Sequence, residues 1–363
     1  MVKMYDFKKQ YGQIKNKIDE SIQSVLNDSA FSNGKYVQSF ELKFSNYLNS
    51  KYCVAVNNGT SALHISLLAL GIKPDDEVLI PSFSFFATCE SVSLTGAVPV
   101  FVDSKYDNFN IDLHDLESKI TNKTKAIICV HLYGNPCDMD SLNKIAKKYN
   151  LYLIEDAAQA HGAIYNDIKI GNFSDFACFS FYPTKNLGAY GEGGAVITNS
   201  KKYYNKLLAL RNHGSVEQYK HDMIGHNYRM SGFQGAILSV KLNYLDIWNE
   251  IRIKNAEYYS SLLMDIKEIK TPVFSDNSKH VFHQYTIKVE NRDKLKTHLY
   301  NNKIESAIYY PKPCHLQKPY ENILSTAPIS EKLSKEVISL PIAEHISNLD
   351  IKLICESISK FYN

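Results

Sequence analysis

Between residues 52 and 200 the chain alternates short apolar runs with longer segments of helical periodicity. The apolar runs are YCVAV, EVLIPS, VPVFVD, AIICVHLYG, YLIEDA, FACFSF and GAVITN, and the helical segments include TSALHISLLALG, FFATCESVSLTG and MDSLNKIAKKYN. Strands that alternate with helices predict a mostly parallel sheet with both faces covered. Polar residues follow several runs, in NNGTS, HLYGN and EDAAQ, and open α/β sheets bind ligands at the carboxyl ends of their strands.

The pattern changes near residue 231, where SGFQGAILSVKLNYLDIWNEIRIKNAEYYSSLL contains few helix breakers and predicts one long bridging helix over 231–265. Further on, the sequence predicts a strand in VFHQYTIKVE, a helix through DKLKTHLYNN, an extended ESAIYYP, and amphipathic helices around EKLSKEVISL and DIKLICESISKFY. A chain of 363 residues exceeds the roughly 250–300 residues that one core supports. We therefore expect an α/β protein with a large domain over 1–245 and a smaller C-terminal α+β domain over 246–363.

Composition narrows the classes of function. The net charge is +3 and the lysines are scattered among acids, which is typical of a globular protein without a nucleic-acid surface. The N-terminus lacks the apolar region of a signal peptide, and no apolar run approaches the roughly 18 residues of a membrane span. We expect a cytoplasmic protein with no membrane partner.

Seven dispersed cysteines indicate reduced thiols in the core and not a disulfide framework. Cys129, His131 and Cys137 lie close together in the sequence, but their spacing matches no metal-ligand signature and no CxxC pair supports them. We expect no metal site.

Three segments carry candidate chemistry, and the first is NNGTSALHISLLAL. Gly59, Thr60 and Ser61 lie where a strand turns into a helix. Free backbone N–H groups and the helix dipole make such a turn an anion site. The same residues also fit an ordinary helix cap, with Thr60 or Ser61 bonding the first turn.

The second segment, YLIEDAAQAHG, ends a predicted strand with Glu155 and Asp156, followed by Gln159. A carboxylate at this end of a strand can bind a metal, a ribose or a protonated ring nitrogen. In a pyridoxal phosphate site, an anion beside the pyridine nitrogen keeps it protonated, so that the ring can accept electrons from the substrate. Gln159 can hydrogen-bond the phenolic oxygen of the ring.

The third segment, SFYPTKNLGAYGEGG, supplies Ser180 as a candidate phosphate ligand and Lys185 as a candidate Schiff-base amine. Its glycines allow tight turns and a close approach to a cofactor. PSFSFFATCE adds an aromatic residue, Phe85, that can stack on a pyridine ring. Taken singly, Lys185 fits a surface lysine, Asp156 fits a loop acid, and Phe85 fits a core phenylalanine. Together they favour pyridoxal phosphate, because separate elements supply different parts of one site.

These segments and GHNYRMSGFQGA resemble, in order and approximate spacing, the sugar-nucleotide aminotransferases of the DegT/DnrJ type, which are pyridoxal phosphate enzymes of fold type I, like aspartate aminotransferase. The resemblance covers nearly the whole chain. It implies that Lys185 is the Schiff-base lysine and proton shuttle, that Asp156 pairs with the pyridinium, and that Gln159 contacts the phenolic oxygen. The implied phosphate ligands and stacking residue are Gly59, Thr60, Ser180 and Phe85.

The resemblance further implies a homodimer in which Asn227 reaches the phosphate of the neighbouring subunit. From the residues alone, Asn227 and Arg229 would be capping and surface residues of a loop. The implied candidates for sugar and nucleotide contacts are Tyr182, Tyr219, Lys220, Arg229, Tyr309 and Tyr310. Relatives often have a histidine before Tyr-Pro, where this chain has Tyr309 in IYYP, so the role of that position is open.

The subgroup suggested by RNHGSVEQYKHDMIGHNYRM implies transfer of the amino group of L-glutamate to carbon 3 of a dTDP-linked 3-keto-6-deoxyhexose, for cell-surface glycans such as lipopolysaccharide O-antigen. The alternative is a 4-keto sugar, or one linked to UDP or GDP. A 3-dehydratase of the same fold would carry a histidine in place of Lys185, and a non-enzymatic sensor would not need Lys185, Asp156 and Gln159 together. An NAD-dependent dehydrogenase would need a GxGxxG turn where this chain has NNGTS.

Overall fold

A computed structural model describes residues 1–273 and 277–363. It confirms the α/β class, with a seven-stranded sheet at its centre. The strands of the described chain are β1 Tyr52–Val56, β2 Glu77–Pro81, β3 Val98–Val102, β4 Thr124–Val130, β5 Tyr152–Asp156, β6 Ile164–Tyr165, β7 Ile168–Lys169, β8 Phe176–Ser180, β9 Gly194–Thr198, β10 Ser215–Glu217, β11 Lys220–His221, β12 Ile269–Lys270, β13 Ser278–Lys279, β14 Tyr285–Val289 and β15 Val337–Leu340.

The central sheet has the strand order β1-β9-β8-β5-β4-β2-β3. Neighbouring strands from β8 to β3 run parallel, and β9 pairs antiparallel with both β8 and β1. The sheet is therefore mostly parallel, as predicted. All seven of its strands coincide with or overlap apolar runs that the sequence pattern identified.

Helices cover both faces of the sheet. The helices are α1 Phe7–Asn27, α2 Lys35–Leu48, α3 Gly59–Leu70, α4 Ala87–Ser93, α5 Leu113–Ser118, α6 Met139–Tyr149, α7 Lys201–Leu210, α8 Gly232–Lys241, α9 Leu245–Leu263, α10 Arg292–Asn301, α11 Pro328–Glu336 and α12 Asn348–Tyr362. One face packs against buried residues of α2 and α6, such as Phe44 and Leu142. The other face packs against α3 and α7, through residues such as Leu67 and Leu207. Burial on both faces explains why the strands are continuous apolar runs.

The C-terminal part contains a second, antiparallel sheet of order β12-β14-β15. Its core is a cluster of buried residues that runs from Ala256 to Ile358. The N-terminal segment joins it, because Val2 forms a bridge with Ile304. The division of the chain at 245/246 stays a prediction, since α9 begins at Leu245 and packs against α12.

The predicted helix over 231–265 is wrong in one respect, because it is two helices. Residues Leu242–Tyr244 form a turn of 3₁₀-helix between α8 and α9. The Asn243 side chain donates hydrogen bonds to the backbone oxygens of Ser239 and Val240, at 3.1 and 3.2 Å. A side chain that bonds the last carbonyls competes with the next turn of the helix.

The amphipathic helix predicted around EKLSKEVISL is also partly wrong. Helix α11 ends at Glu336, and the following VISL is strand β15. All four of these residues are buried, and they pair in register with β14 from Tyr285 to Lys288. Tertiary pairing and burial on both faces override the helical period there. The predicted strand in VFHQYTIKVE is shorter than its apolar run, since only Tyr285–Val289 is extended and paired.

None of the helices in the ranges 1–273 and 277–363 has the length and apolar character needed to cross a bilayer.

Candidate active site

A cavity of about 560 Å³ opens where the carboxyl ends of β5 and β8 meet the N-terminus of α3. It brings together ten of the residues singled out in the sequence. These are Gly59, Thr60, Phe85, Asp156, Gln159, Ser180, Tyr182, Lys185, Tyr309 and Tyr310.

Lys185 lies in the loop that joins β8 to β9. The loop is compact, because its backbone is tied by hydrogen bonds from Lys185 N to Tyr182 O and from Ala189 N to Phe181 O, both 2.8 Å. Burial lowers the pKa of the Lys185 amine to about 8, against the smaller opposing effect of the Asp156 charge. The amine has no hydrogen-bond partner within the described chain, so it is a nucleophile with its lone pair accessible near neutral pH.

Buried residues of other elements fasten this loop. The Asn186 amide donates to Asn249 Oδ1 and to the Val281 carbonyl, at 2.8 and 3.0 Å. The amine of Lys241, on α8, donates to the Gly188 carbonyl. Lys241 is fully buried, and burial lowers its pKa to about 8. The loop is therefore anchored directly after Lys185, at Asn186 and Gly188.

Asp156 ends β5 and is 6% exposed. Its Oδ2 accepts a hydrogen bond from Thr88 Oγ1 at 2.9 Å, and its Oδ1 accepts one from Ala158 N at 3.2 Å. Burial raises the pKa of this carboxyl, although the bond from Thr88 opposes that change. The charged form of such a buried carboxyl is stabilised most when a cationic partner enters the cavity.

Gln159 is fixed by its neighbours. Its Oε1 accepts a hydrogen bond from Tyr133 N at 2.6 Å, and its Nε2 donates one to Tyr310 Oη at 3.1 Å. Because the oxygen is occupied, the amide orientation is determined and one N–H of Nε2 remains for a ligand. An acceptor atom in the cavity, such as a phenolate oxygen, suits that donor.

The N-terminus of α3 forms the polar end of the cavity. Its cap is Asn58, whose side chain accepts from Ser61 N at 2.8 Å, and not Thr60 or Ser61 as the capping alternative supposed. The N–H groups of Gly59 and Thr60 have no acceptor in the part of the chain that the structure describes. Because a Cβ at Gly59 would lie 2.7 Å from Ser180 Cβ, only glycine lets the helix end approach Ser180 so closely.

Aromatic side chains line the rest of the cavity. Phe85 is 57% exposed and lies 5.9 Å from the Tyr310 ring, between centroids. Tyr182 is 48% exposed, and Tyr309 is half-buried beside Tyr310. Exposed rings on a cavity wall are available to stack on a flat ligand.

Four candidates lie outside this cavity in a single protomer. Tyr219 and Lys220 belong to the exposed β10–β11 hairpin, and Tyr219 is 88% exposed. Asn227 is also exposed, whereas Arg229 is half-buried and donates to Asn212 Oδ1. The structure therefore does not bring these four residues to Lys185 of the same protomer.

The sequence indicated no function for several other residues in or near the cavity. Thr88 does not line the cavity, but it lies on α4 and donates a hydrogen bond to Asp156, a contact that no sequence pattern indicates. His283 and Gln284 come from a distant segment, and no local pattern marks them. The additional lining residues are Asn58, Leu63, Ser84, Ala87, Val130, Ala158, Thr184, Glu192, His283 and Gln284.

His131 and Cys137, which were considered above as metal ligands, belong to a buried hydrogen-bond network with Glu155. Cys137 N donates to His131 Nδ1 at 3.0 Å, so the other ring nitrogen carries the hydrogen and bonds Glu155 at 3.2 Å. Glu155 also accepts from Gly171 N, Phe173 N and Ser174 Oγ. Over residues 1–273 and 277–363 no group of three or more His, Cys, Asp or Glu is arranged to hold a metal ion.

Comparison with known proteins decides the family. Residues 12–359 match the DegT/DnrJ/EryC1/StrS aminotransferase family. The chain belongs to this family. Membership confirms the resemblance and the prediction of an aminotransferase.

Relatives cover almost the full length of the chain. The "pleiotropic regulatory protein" of Geobacillus stearothermophilus is 43% identical, over 99% of this chain and 98% of its own. The dTDP-3-amino-3,6-dideoxy-alpha-D-galactopyranose transaminase of Aneurinibacillus thermoaerophilus is 42% identical, over 99% of both chains. Relatives at 38% identity include the UDP-2-acetamido-2-deoxy-3-oxo-D-glucuronate aminotransferase of Pseudomonas aeruginosa (99% of this chain, 100% of its own) and the GDP-perosamine synthase of Escherichia coli O157:H7 (97% and 96%).

Solved structures agree with the sequence relatives. The structure of S. venezuelae DesV in complex with a ketimine intermediate superposes with a TM-score of 0.98 at 38% identity, over 100% of this chain and 98% of that one. The structure of NtdA from Bacillus subtilis with bound cofactor PMP gives a TM-score of 0.90 at 32% identity, over 96% and 82%. The predicted aminotransferase fold and the predicted pyridoxal phosphate cofactor are confirmed.

Proposed function

We propose that this protein uses pyridoxal phosphate to transfer the amino group of L-glutamate to carbon 3 of a dTDP-linked 3-keto-6-deoxyhexose. The product is a dTDP-3-amino-3,6-dideoxyhexose for cell-surface glycans. One observation supports the transamination chemistry most strongly. A partner-free amine with a low pKa, on Lys185, lines the same cavity as a buried carboxylate, on Asp156.

The residues of the cavity fit the cofactor. The free N–H groups of Gly59 and Thr60, with the Ser180 hydroxyl, suit a phosphate at the helix N-terminus. Asp156 suits a protonated ring nitrogen, and the remaining N–H of Gln159 suits a phenolate oxygen. Phe85 offers an exposed ring to cover the pyridine face. When bound, pyridoxal phosphate supplies a sink for the electrons released at the substrate Cα.

Lys185 is the proposed residue for transfer of the proton from the amino donor. Its Nζ is the nucleophile that holds the cofactor, and after release it is the base that takes the proton from the Cα of the amino donor. Burial keeps this amine neutral in a large fraction of molecules near pH 8. The loop contacts through Asn186 and Gly188 hold the amine in position between the two roles.

We propose that the active site is completed by a second copy of the chain. Lys185 is the single lysine or arginine among the described residues that line the cavity, beside the acidic Asp156 and Glu192. A nucleotide diphosphate and a dicarboxylic amino acid need more positive charge than that. Lys220 and Arg229 are candidates from the partner, together with Asn227 for the cofactor phosphate and Tyr219 for the substrate. Val216, Tyr219 and Ile224, in or near the β10–β11 hairpin, are exposed large apolar side chains, which suits such a contact.

Within the cavity of one protomer, Tyr182, Tyr309 and Tyr310 are the proposed sugar contacts. The choice of carbon 3 and dTDP rests on the name of the Aneurinibacillus relative. The second candidate is a 4-keto sugar, or a sugar linked to UDP or GDP. The names of the Pseudomonas and Escherichia relatives support the UDP and GDP linkages.

A product assay separates these candidates. Purified enzyme is incubated with L-glutamate and, one at a time, 3-keto and 4-keto sugars linked to dTDP, UDP or GDP, and the products are identified by mass spectrometry. The proposal expects amination of the 3-keto dTDP sugar with formation of 2-oxoglutarate. Exclusive amination of a 4-keto sugar, or of a UDP or GDP sugar, would refute the proposed specificity. The proposed transaminase activity would remain valid.

A further inference from the structure

A small second pocket adjoins the active site at Lys185. Thr184 and Lys185 line both the main cavity and this pocket, whose volume is about 10 Å³. That volume is close to the minimum of about 10–15 Å³ that admits one water molecule. The other lining residues are Tyr5, Asp6, Phe7, Gln10, Pro183, Arg252, Ala343, Glu344 and His345.

Two buried polar atoms on residues of this wall lack a partner. Arg252 is 3% exposed and Gln10 is 8% exposed. Arg252 Nε, a donor, and Gln10 Oε1, an acceptor, have no hydrogen bond to any residue that the structure describes. Leaving such a group unpaired costs on the order of 1–3 kcal/mol, so native proteins usually satisfy it with protein or water.

The surrounding bonds fix which atoms are free. Gln10 Nε2 donates to Glu344 Oε1 at 2.7 Å, and Arg252 Nη2 donates to Glu344 Oε2 at 3.2 Å. Because a carboxylate only accepts, the Gln10 amide nitrogen must face Glu344 and the amide oxygen must be the free end. The residues of the pocket wall thus carry one unpaired donor and one unpaired acceptor, on two side chains that both bond Glu344. Water is small enough for the volume and can bond to both.

We propose that this pocket binds one ordered water molecule, which accepts a hydrogen bond from Arg252 Nε, donates one to Gln10 Oε1 and contacts the Lys185 amine. Gln10 and Arg252 are then positioning residues, which act on Lys185 through the water. The amine has no protein partner when it is released from the cofactor, and this water holds it beside the cavity. The proposal is independent of which sugar accepts the amino group.

A crystal structure of the holoenzyme tests the site directly. The expected result is one density peak within about 2.7–3.2 Å of both Arg252 Nε and Gln10 Oε1, the usual hydrogen-bond range. A pocket without such a peak, or a direct bond from Arg252 Nε to Gln10 Oε1, would overturn the proposal. Neither outcome depends on the sugar substrate.

The variant Gln10→Met tests the effect on Lys185, since methionine is of similar volume and removes the acceptor for the water, together with the 2.7 Å bond to Glu344. The apoenzyme is mixed with pyridoxal phosphate, and the rate of uptake is followed by absorbance as a function of pH. A bound water stabilises the charged amine, so its loss should move the midpoint of the uptake curve down by about 0.5–1 pH unit. The titratable and charged groups that line the two cavities around Lys185 are Tyr5, Asp6, Asp156, Tyr182, Glu192, Arg252, His283, Tyr309, Tyr310, Glu344 and His345. The charge of Lys185 also acts on the buried His161.

Gln13→Met is the matched control, because Gln13 is exposed on the same helix, α1. It should leave the midpoint where the unaltered protein has it. An unchanged midpoint in Gln10→Met, or the same shift in both variants, would contradict the role of the water. If Gln10→Met fails to fold, the crystal structure of the unaltered holoenzyme still decides the proposal.

Discussion

At the scale of residues, burial shifts the pKa values of Lys185 and Asp156 in opposite directions. Burial lowers the pKa of the amine to about 8 and raises the pKa of the carboxyl. Each change favours the uncharged form, because a charge loses its hydration in the protein interior. The site therefore holds a nucleophilic amine, together with a carboxyl that ionises most readily when a cation is placed beside it.

The low pKa of Lys185 predicts a specific pH dependence. Only the neutral amine attacks the aldehyde of pyridoxal phosphate, so the rate of cofactor uptake by the apoenzyme should rise with pH. Half of the maximal rate is expected near pH 8, well below the ordinary lysine value of 10.5. Absorbance measured in a stopped-flow experiment across this range gives the midpoint. A midpoint near the ordinary value would mean that the amine is hydrated.

The Thr88 hydroxyl should be needed to keep Asp156 an effective anion. The variant Thr88→Val keeps the shape and removes the 2.9 Å hydrogen bond to Oδ2. Loss of a bond to a charged group costs on the order of 1.5–3 kcal/mol, so we expect kcat to fall by about tenfold or more. Steady-state kinetics provide the measurement. Thr297→Val, at an exposed position on α10, is the control and should have unaltered kcat.

Individual residues were predictable from sequence when their motif is local. Asp156 ends a strand that an apolar run identifies, and Lys185 lies in the loop that follows another such strand. The carboxyl ends of these strands share one edge of the sheet. Thr88 was not assigned because its contact is 68 positions away in the chain. Gln10 and Arg252 were missed for the same reason, since the ion pair at Glu344 that defines their free atoms forms only in the folded protein.

At the scale of elements, the approach of α3 to the end of β8 determines the phosphate end of the cavity. Gly59 begins the helix and faces Ser180, which ends the strand. The two free N–H groups of the helix reach the cavity because no side chain separates these elements. A larger residue at position 59 must push them apart.

Gly59→Ala should therefore weaken cofactor binding. The new Cβ would lie 2.7 Å from Ser180 Cβ, closer than carbon atoms pack, so the helix end or the strand must move. We expect the dissociation constant for pyridoxal phosphate to rise by at least about tenfold, which corresponds to 1.4 kcal/mol. Equilibrium titration of the apoenzyme measures it.

The control for that substitution is Gly12→Ala on α1, where a Cβ meets no atom within 4 Å. Alanine in a helix interior is favoured over glycine by about 0.8–1.0 kcal/mol, so this variant should bind the cofactor normally and unfold at a slightly higher temperature. Equal loss of affinity in both variants would show that the contact with Ser180 is not the cause.

Elements were predicted well where periodicity and burial agree, as in the seven strands of the central sheet. They were predicted poorly where a tertiary contact decides. The break at Leu242–Tyr244 depends on one side chain, Asn243, bonding the last turn of α8. Strand β15 depends on pairing with β14, about 50 residues earlier in the chain. Neither contact leaves a periodic signal in the sequence.

At the scale of the whole molecule, the cavity of one protomer contains most of the predicted cofactor residues, and four of the predicted contacts lie outside it. Tyr219, Lys220 and Asn227 are exposed, and Arg229 contacts Asn212. The sequence resemblance supplied the explanation for this arrangement, because a second subunit can present these residues to the neighbouring cavity. Local patterns alone would have left them as surface residues.

Subunit mixing tests the shared site. Lys185→Ala and Asn227→Ala should each be nearly inactive alone. Mixed by reversible dissociation, they should regain up to about a quarter of the unaltered activity, since half of the randomly formed dimers then carry one intact site. Recovery that fails although heterodimers form, as shown by native mass spectrometry, would place Asn227 in the site of its own subunit.

Covalent attachment of pyridoxal phosphate to Lys185 can be tested by chemical trapping. The holoenzyme is reduced with borohydride, which makes the link permanent, then digested, and the modified peptide is located by mass spectrometry. We expect a single pyridoxyl group, attached to Lys185, and no pyridoxyl group in the Lys185→Ala protein. A modification at another lysine such as Lys241, or a Lys185→Ala protein that still transfers amino groups, would contradict it.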